Sequence, residues 1–308
     1  MSDIDVKIIA SGFGFPEGPV AMPDGSVVLT EIRNGRCSRV AADGTVSLFS
    51  DTGGGPNGLA LGPDGAFYLC NNGGGLYKEG HSMSLGAAPG YKHGWVSRLD
   101  AKTGEQKILY THADGNTLSA PNDLVFDTDG GFWFTDLGKR FPRHKENGGV
   151  YYARPDGSFV AEVAYPILSS NGCGLSPDGK TLYVVETPTA RLWAFDLSAP
   201  GTIKDANGAY RGEKGRVVAG LGGYQMFDSL AVDSAGHVCV ATLITGAVSD
   251  ISPDGQSVTQ YKLPDPMVTN VCFGGPDLRT AYATLSMTGK LVSFEWPRPG
   301  LKLEYLNK

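Results

Sequence analysis

Four side chains with oxygen tips, Glu17, Asn122, Asn171 and Asp228, each open a short apolar run and recur along the whole chain. Together they offer two carboxylates and two carboxamides, with no histidine or cysteine among them. Hard oxygen donors of this kind suit Ca²⁺ best, with Mg²⁺, Mn²⁺ or Zn²⁺ as alternatives. Two carboxylates neutralise a divalent ion, and four protein ligands leave coordination positions for water and substrate, the open arrangement that a metal hydrolase uses. The bland alternative is that Asn, Asp and Glu at such places satisfy backbone groups where loops enter strands. That alternative fits Asn57, Asn270 and the turn residues Asp24, Asp64, Asp129 and Asp178. It fits the four less well, because an unpaired buried carboxylate is costly and a core in need of filling takes apolar residues.

What positions these residues is a hairpin written six times. In the third copy Pro121-Asn122-Asp123 leads an apolar run, Asp129-Gly130 turns the chain, and Phe132 to Asp136 runs back. The other copies lead with Glu17, Asn57, Asn171, Asp228 and Asn270, and an Asp or its substitute falls seven residues later in every one. Two further short strands follow each hairpin, such as Arg191 to Phe195 and Lys290 to Phe294 as third strands, or Thr45 to Phe49 and Ser257 to Tyr261 as fourth strands. Four strands recurring every 40 to 65 residues are the signature of propeller blades. The expected fold is therefore all-β, a six-bladed β-propeller of four-stranded antiparallel blades, forming a single domain over residues 1–308. Val6 to Ala10 and Leu301 to Tyr305 both compete for the outer strand of the sixth blade, so N- and C-terminal strands close the ring in one blade.

Connectivity then selects the functional face. The six leading residues start the innermost strands and face the axis at one mouth, whereas the Pro-Asp-Gly turns lie at the other end. Second strands end back at the mouth, and the two long connections that leave them, residues 72–94 and 137–149, overhang it. Their His93, Arg140 and Phe141 are candidate substrate contacts, with Tyr77, His81, Tyr91 and His144 beside them; the plain alternative is solvated loops. Tyr224, Met226 and Phe227, on the approach to the fifth inner strand, are expected to form an apolar wall against substrate.

Composition narrows the partners. A net charge of −6 and a pI near 5.4 argue against nucleic acid or an anionic membrane surface as the main partner. No apolar run approaches the length of a membrane span, and the amino terminus lacks a basic segment followed by an apolar one, so a soluble, cytoplasmic protein acting on a small molecule is expected. The five cysteines are odd in number, widely spaced and set in apolar runs, which reads as buried reduced thiols. Oligomeric state leaves no mark in the sequence.

Phe15-Pro16-Glu17-Gly18-Pro19, Pro121-Asn122-Asp123, Ser170-Asn171-Gly172 and Phe227-Asp228-Ser229 resemble the motifs of the gluconolactonase family, also called the senescence marker protein and luciferin-regenerating enzyme-like family. Its members are six-bladed calcium-dependent propellers, with diisopropyl fluorophosphatase a more distant relative. The resemblance spans essentially the whole chain. It implies that residues matching Glu17, Asn171 and Asp228 hold the metal, that Asn122 binds metal or substrate, and that Asp228 also serves as base or nucleophile. It implies lactone hydrolysis, usually of sugar lactones, with organophosphate hydrolysis as a recurrent side activity. Animal-type members carry an Arg two residues before the central Asn; this chain has Ala120, so recognition of a polyol through that Arg is unsupported.

The expected reaction is opening of a lactone to a hydroxy acid, with Ca²⁺ polarising the carbonyl and Asp228 activating water or attacking directly. A phosphoester or other ester hydrolase on the same metal, and a non-catalytic ligand- or protein-binding propeller with structural Ca²⁺, are the alternatives.

Overall fold

The structure, a computed structural model, describes residues 4–79, 81, 83–204 and 214–307. Six antiparallel sheets surround one axis. The first blade comprises Pro16–Ala21, Val27–Glu31, Arg36–Val40 and Val46–Asp51, and the third Pro121–Phe126, Phe132–Asp136, Gly148–Ala153 and Val160–Ile167. The second, fourth and fifth start on Pro56–Leu61, Ser170–Leu175 and Met226–Val232. Strand composition explains the layering. Inner and second strands are buried on both faces and read as near-continuous apolar runs, such as Phe132-Trp133-Phe134. Outer strands are largely exposed or half-buried, leaving Leu48 and Ile108 toward solvent.

Closure falls to the amino terminus. Lys7–Ser11 pairs with Lys290–Glu295, so the sixth blade mixes the two ends of the chain and leaves no free seam. Leu301 to Tyr305, the competing segment, is not a strand. It leaves the sixth blade with Leu301 N–H on the Val232 carbonyl at 3.0 Å and crosses the turn face, where the Tyr305 ring meets the Phe126 ring edge-on at 5.6 Å. Between this segment and the underside of the ring of leading residues lies an axial cavity of about 380 Å³, lined by Leu59, Leu124, Leu230 and Phe273 among others.

Adjacent blades pack through apolar clusters. One joins Tyr68, Phe126, Phe132 and Phe134 between the second and third blades. Side chains such as Phe132 and Trp133 are fully buried, and truncating one to Ala typically costs about 3–5 kcal/mol. Hydroxyls add directed stitches. Thr30 Oγ1 donates to the Asn57 carbonyl at 2.7 Å, and Thr135 Oγ1 to the Asn171 carbonyl, each linking one blade to the leading residue of the next.

Candidate metal centre and mouth

Each leading residue owes its direction to a break in strand register. In the second, third, fourth and fifth blades the inner strand pairs just before the polar residue, skips it and its successor, and resumes at Leu59, Leu124, Cys173 and Leu230. Such a bulge re-aims a side chain that would otherwise stay in the pleat. In the first blade the skip falls on Gly18 and Pro19, and in the sixth just before Asn270.

The residue after the leader is glycine in three blades because the inner strands crowd there. A Cβ on Gly18 would lie 2.2 Å from the Asn57 carbonyl oxygen, and one on Gly58 would lie 2.6 Å from the Asp123 Cα. The third blade instead carries Asp123 at this place, a residue the sequence reading passed over. Its carboxylate accepts the Leu124 N–H at 2.9 Å and lies buried beside the ring.

The structure places Glu17, Asn122, Asn171 and Asp228 on the inner strands of the first, third, fourth and fifth blades and buries all four. Asn171 Nδ2 donates to Thr187 Oγ1 at 3.1 Å with its amide beside the Asp228 carboxylate, and the Glu17 charge acts on Asp228. Burial first, and then the charges of Glu17 and Asp123, push Asp228 well above the usual carboxylate range. Burial likewise pushes Glu17 up to about 8, opposed by the Asn270 amide and reinforced by Asp123. Asp123 itself is pushed up to about 7 by burial. Among the described residues no lysine or arginine forms an ion pair with any of the three.

Amide oxygens complete the set. Oδ1 of Asn57, of Asn122 and of Asn171 are all buried with no hydrogen-bond partner. Leaving a buried polar atom unpaired costs about 1–3 kcal/mol, and three on one ring, beside three buried carboxylates lacking a counter-charge, are oxygens that a bound cation would satisfy. An all-oxygen donor set fits a hard divalent ion better than one that prefers nitrogen and sulfur. Asn57 Oδ1 is one of these three partnerless oxygens. Asn270 differs: its Nδ2 donates to Glu17 Oε2 at 2.9 Å and its Oδ1 accepts the Val271 N–H at 2.8 Å, so it holds Glu17 in place.

A second tier of polar residues, at the ends of the second strands, organises loops instead. Asp136 accepts the N–H groups of Ser119, Ala120 and Gly138 at 2.7, 2.7 and 2.9 Å. Glu31 accepts from Gly14, Ser38 and Arg36, and Asn71 bonds Gly53, Gly55 and Gly73.

The two overhanging loops are joined to each other. Lys139 Nζ donates to the carbonyls of Asn72 and Gly74 at 2.5 and 2.6 Å and lies 4.7 Å from the centre of the Tyr91 ring, while Ala87 N–H bonds the Arg140 carbonyl at 2.9 Å. Of the expected substrate contacts, Arg140 is exposed, and Phe141 stacks on His144 at 4.6 Å with Tyr91 at its edge. His93 is half-buried, bonded through Nδ1 to the Gly94 carbonyl and set 6.2 Å from His112. Tyr224 is 77% exposed and Met226 half-buried. Phe227 is fully buried in the apolar cluster with Tyr183 and Val240, so it backs the ring from within the core.

One other group of metal-ligating types converges, Asp233, His237 and Asp250 in the fifth blade. Arg298 fills it, bonding Asp233 at 2.5 Å and Asp250 at 2.6 Å, with His237 Nδ1 at 2.8 Å from Asp250. This is an ion-pair knot fastening the carboxy-terminal segment to the turn face. No helix of the described residues is long and apolar enough to cross a membrane.

Residues 15–287 match the family described as the SMP-30/Gluconolactonase/LRE-like region. A 6-deoxy-6-sulfogluconolactonase of Pseudomonas putida is 34% identical over 66% of this chain and 67% of its own. Lactonase drp35 of Staphylococcus haemolyticus is 29% identical over 80% of this chain and 69% of its own. Among solved structures, a calcium-binding protein, regucalcin, from Agrobacterium tumefaciens shares the fold with a TM-score of 0.74, at 18% identity over 99% of this chain and 98% of its own.

Proposed function

We propose a metal-assisted opening of a lactone at the axial ring, on the premise that this chain belongs to the SMP-30/gluconolactonase/LRE-like family. Relatives named lactonase and 6-deoxy-6-sulfogluconolactonase support a hydrolase acting on lactones. The observation that carries the site is the set of three partnerless amide oxygens, on Asn57, Asn122 and Asn171, facing the same ring as Glu17 and Asp228. Glu17, Asn122, Asn171 and Asp228 would hold the ion, which we take to be Ca²⁺. When bound, it supplies Lewis-acid polarisation of the acyl carbonyl and positive charge for the oxyanion that develops.

The chain's own groups do the rest. Asp228 takes a proton from the attacking water at a carboxylate oxygen as the water oxygen bonds the acyl carbon. The ring C–O bond then breaks, and the proton passes to the departing alkoxide, leaving a hydroxy acid. Asn270 keeps the Glu17 carboxylate oriented through the whole cycle. The loops clamped by Lys139, with Arg140, Phe141 and His93, form the wall on which substrate rests and from which bulk water is excluded.

The test is turnover of aldonolactones and aliphatic lactones by calcium-loaded and chelated protein, followed as acid release. Calcium-dependent turnover is expected. Activity unchanged by a chelator rejects the metal role, and stoichiometric calcium binding without turnover of any lactone turns the reading toward a binding propeller.

A further inference from the structure

We infer that the substrate carries an anionic group besides its lactone, a carboxylate, sulfonate or phosphate, and that Arg140 and Lys145 receive it. This rests on the lactonase reading above. Arg140 and Lys145 face each other across a small antiparallel hairpin, fixed by their own bridge, by Phe141 N–H on the His144 carbonyl and by Glu146 N–H on the Lys139 carbonyl. Residues directly opposed in such a pair project to one face, and like charges there repel.

Among the described residues neither cation forms an ion pair with a carboxylate. Lys145 Nζ is tied to neutral oxygens, the Leu137 carbonyl at 3.1 Å and the Ser169 hydroxyl. The nearby acids are committed elsewhere. Both Asp136 oxygens are taken by backbone amides, and Glu146 Oε2 accepts from the Ser119 hydroxyl. Among the described residues neither Arg140 nor Arg143 pairs with a carboxylate. Burial, and then the charge of Arg140, push Lys145 down to about 8 against the pull of Asp136.

Solvated lysines on a loop would be unremarkable, but Lys145, though exposed as a residue, has its Nζ held by two protein oxygens. It is anchored to Ser169, two residues before Asn171, so its charge is fixed about 7 Å of extended chain from the ring. The loop 137–149 carries Lys139, Arg140, Arg143 and Lys145 against Glu146 alone, a net of +3 in a chain of −6. Lys139 is spent on the clamp. The remaining three lie on a loop tied through Lys145 and Ser169 to a strand of the ring of buried carboxylates, an arrangement that would direct the anionic end of a substrate outward and its neutral lactone inward.

The experiment compares kcat/KM for D-glucono-1,5-lactone and its 6-phosphate in calcium, with wild type, Arg140→Gln and the double variant Arg140→Gln/Lys145→Gln. Charge-assisted hydrogen bonds contribute enough that the phosphorylated lactone should be preferred by at least ~10-fold, the ratio collapsing toward one in the double variant and in high salt. A neutral lactone used equally well, or a ratio that survives the double variant, overturns the inference while leaving the lactonase reading intact. If neither lactone turns over, the lactonase reading fails, and titration of 6-phosphogluconate against gluconate decides the anion site by itself. Tighter binding of the phosphate that the double variant loses upholds it; equal binding rejects it.

Discussion

The Asn270 amide nitrogen donates to Glu17 Oε2 at 2.9 Å, joining the inner strands of the sixth and first blades, whose leading residues stand at opposite ends of the chain. The bond does two things at once. It orients a carboxylate of the proposed metal site, and it ties the closing seam of the ring at its axis. A hydrogen bond to a charged group contributes about 1.5–3 kcal/mol. Asn270→Ala should therefore weaken calcium binding on the order of 10- to 100-fold by calorimetric titration. Unchanged affinity would mean that Glu17 needs no such support or does not bind the ion.

Chelated protein should lose stability as pH rises from about 5 to 8. Glu17 has its carboxyl raised from 4.5 to about 8 in the fold, and Asp228 moves the same way. Their ionised forms are thus disfavoured by folding, so the stability tied to the protonated acids is complete below 4.5 and is lost through the folded value. Saturating calcium reverses the preference and should raise Tm by on the order of 5 °C or more at pH 8, and by less at pH 5. Differential scanning calorimetry at three pH values reads this directly. A chelated Tm that stays flat or climbs over that window counts against a shared buried acid site.

How much of this the sequence disclosed depends on the kind of feature. The six hairpins were legible because a polar leader and a turn acid seven residues apart form a local signal. The two long loops and closure of the ring by chain ends in one blade followed from spacing, which left Val6 to Ala10 and Leu301 to Tyr305 as rivals for that edge. Asp123 escaped because its place beside the ring depends on the bulge that redirects the inner strand and on the approach of neighbouring blades, which glycine at 58 permits. Phe227 shows the same limit, since its neighbour Asp228 faces the axis while the bulge leaves the Phe227 ring in the core. Leu301 to Tyr305 has the alternation of a strand, yet Lys7–Ser11 already occupies the edge it would pair with, so the segment spreads its apolar side chains over the turn face.

Asp228→Asn keeps the shape of the side chain and removes both its charge and its basicity, so it separates binding from proton transfer. Loss of a general base costs about 10²–10⁴-fold in rate. The expected result is a fall in kcat of that size, with calcium affinity reduced but measurable. Asn171→Ala, which removes one of the partnerless amide oxygens of the ring, should act chiefly on calcium affinity. If Asp228→Asn retained wild-type kcat at saturating calcium, Asp228 would be neither base nor nucleophile.

Asp123 offers a test of opposite sign. Its charge raises both Glu17 and Asp228, and it is itself pushed up to about 7 by burial. Asp123→Asn preserves an acceptor for the Leu124 N–H and relieves the crowding of negative charge. Chelated Asp123→Asn protein should melt about 2–4 °C above chelated wild type at pH 8, the shift that roughly 1 kcal/mol produces in a protein of this class, and should bind calcium more weakly. A variant that melts lower in chelator would show that the carboxylate, not merely an acceptor, is needed to hold the third and fourth blades together.

Lys139 tests the roof. Lys139 is 6% exposed, donates to the Asn72 and Gly74 carbonyls, and rests on the Tyr91 ring, so with the Ala87 N–H on the Arg140 carbonyl it couples residues 72–94 to 137–149. Burial pushes it down to about 8, opposed by Asp136 and Glu146, which means the charge is retained only because these contacts repay its desolvation. Lys139→Met keeps the length and apolar stem while stranding two carbonyls, at about 1–3 kcal/mol each if they stay buried. That cost favours separation of the two loops from each other, while the axial ring, held by its own strands, stays intact. KM for lactone should then rise by roughly 10-fold with calcium affinity unchanged, and limited proteolysis should find new cleavage within residues 72–94. Wild-type KM together with an unchanged cleavage pattern would show that the loops hold their place without the clamp, and that the wall they make is not what positions the substrate.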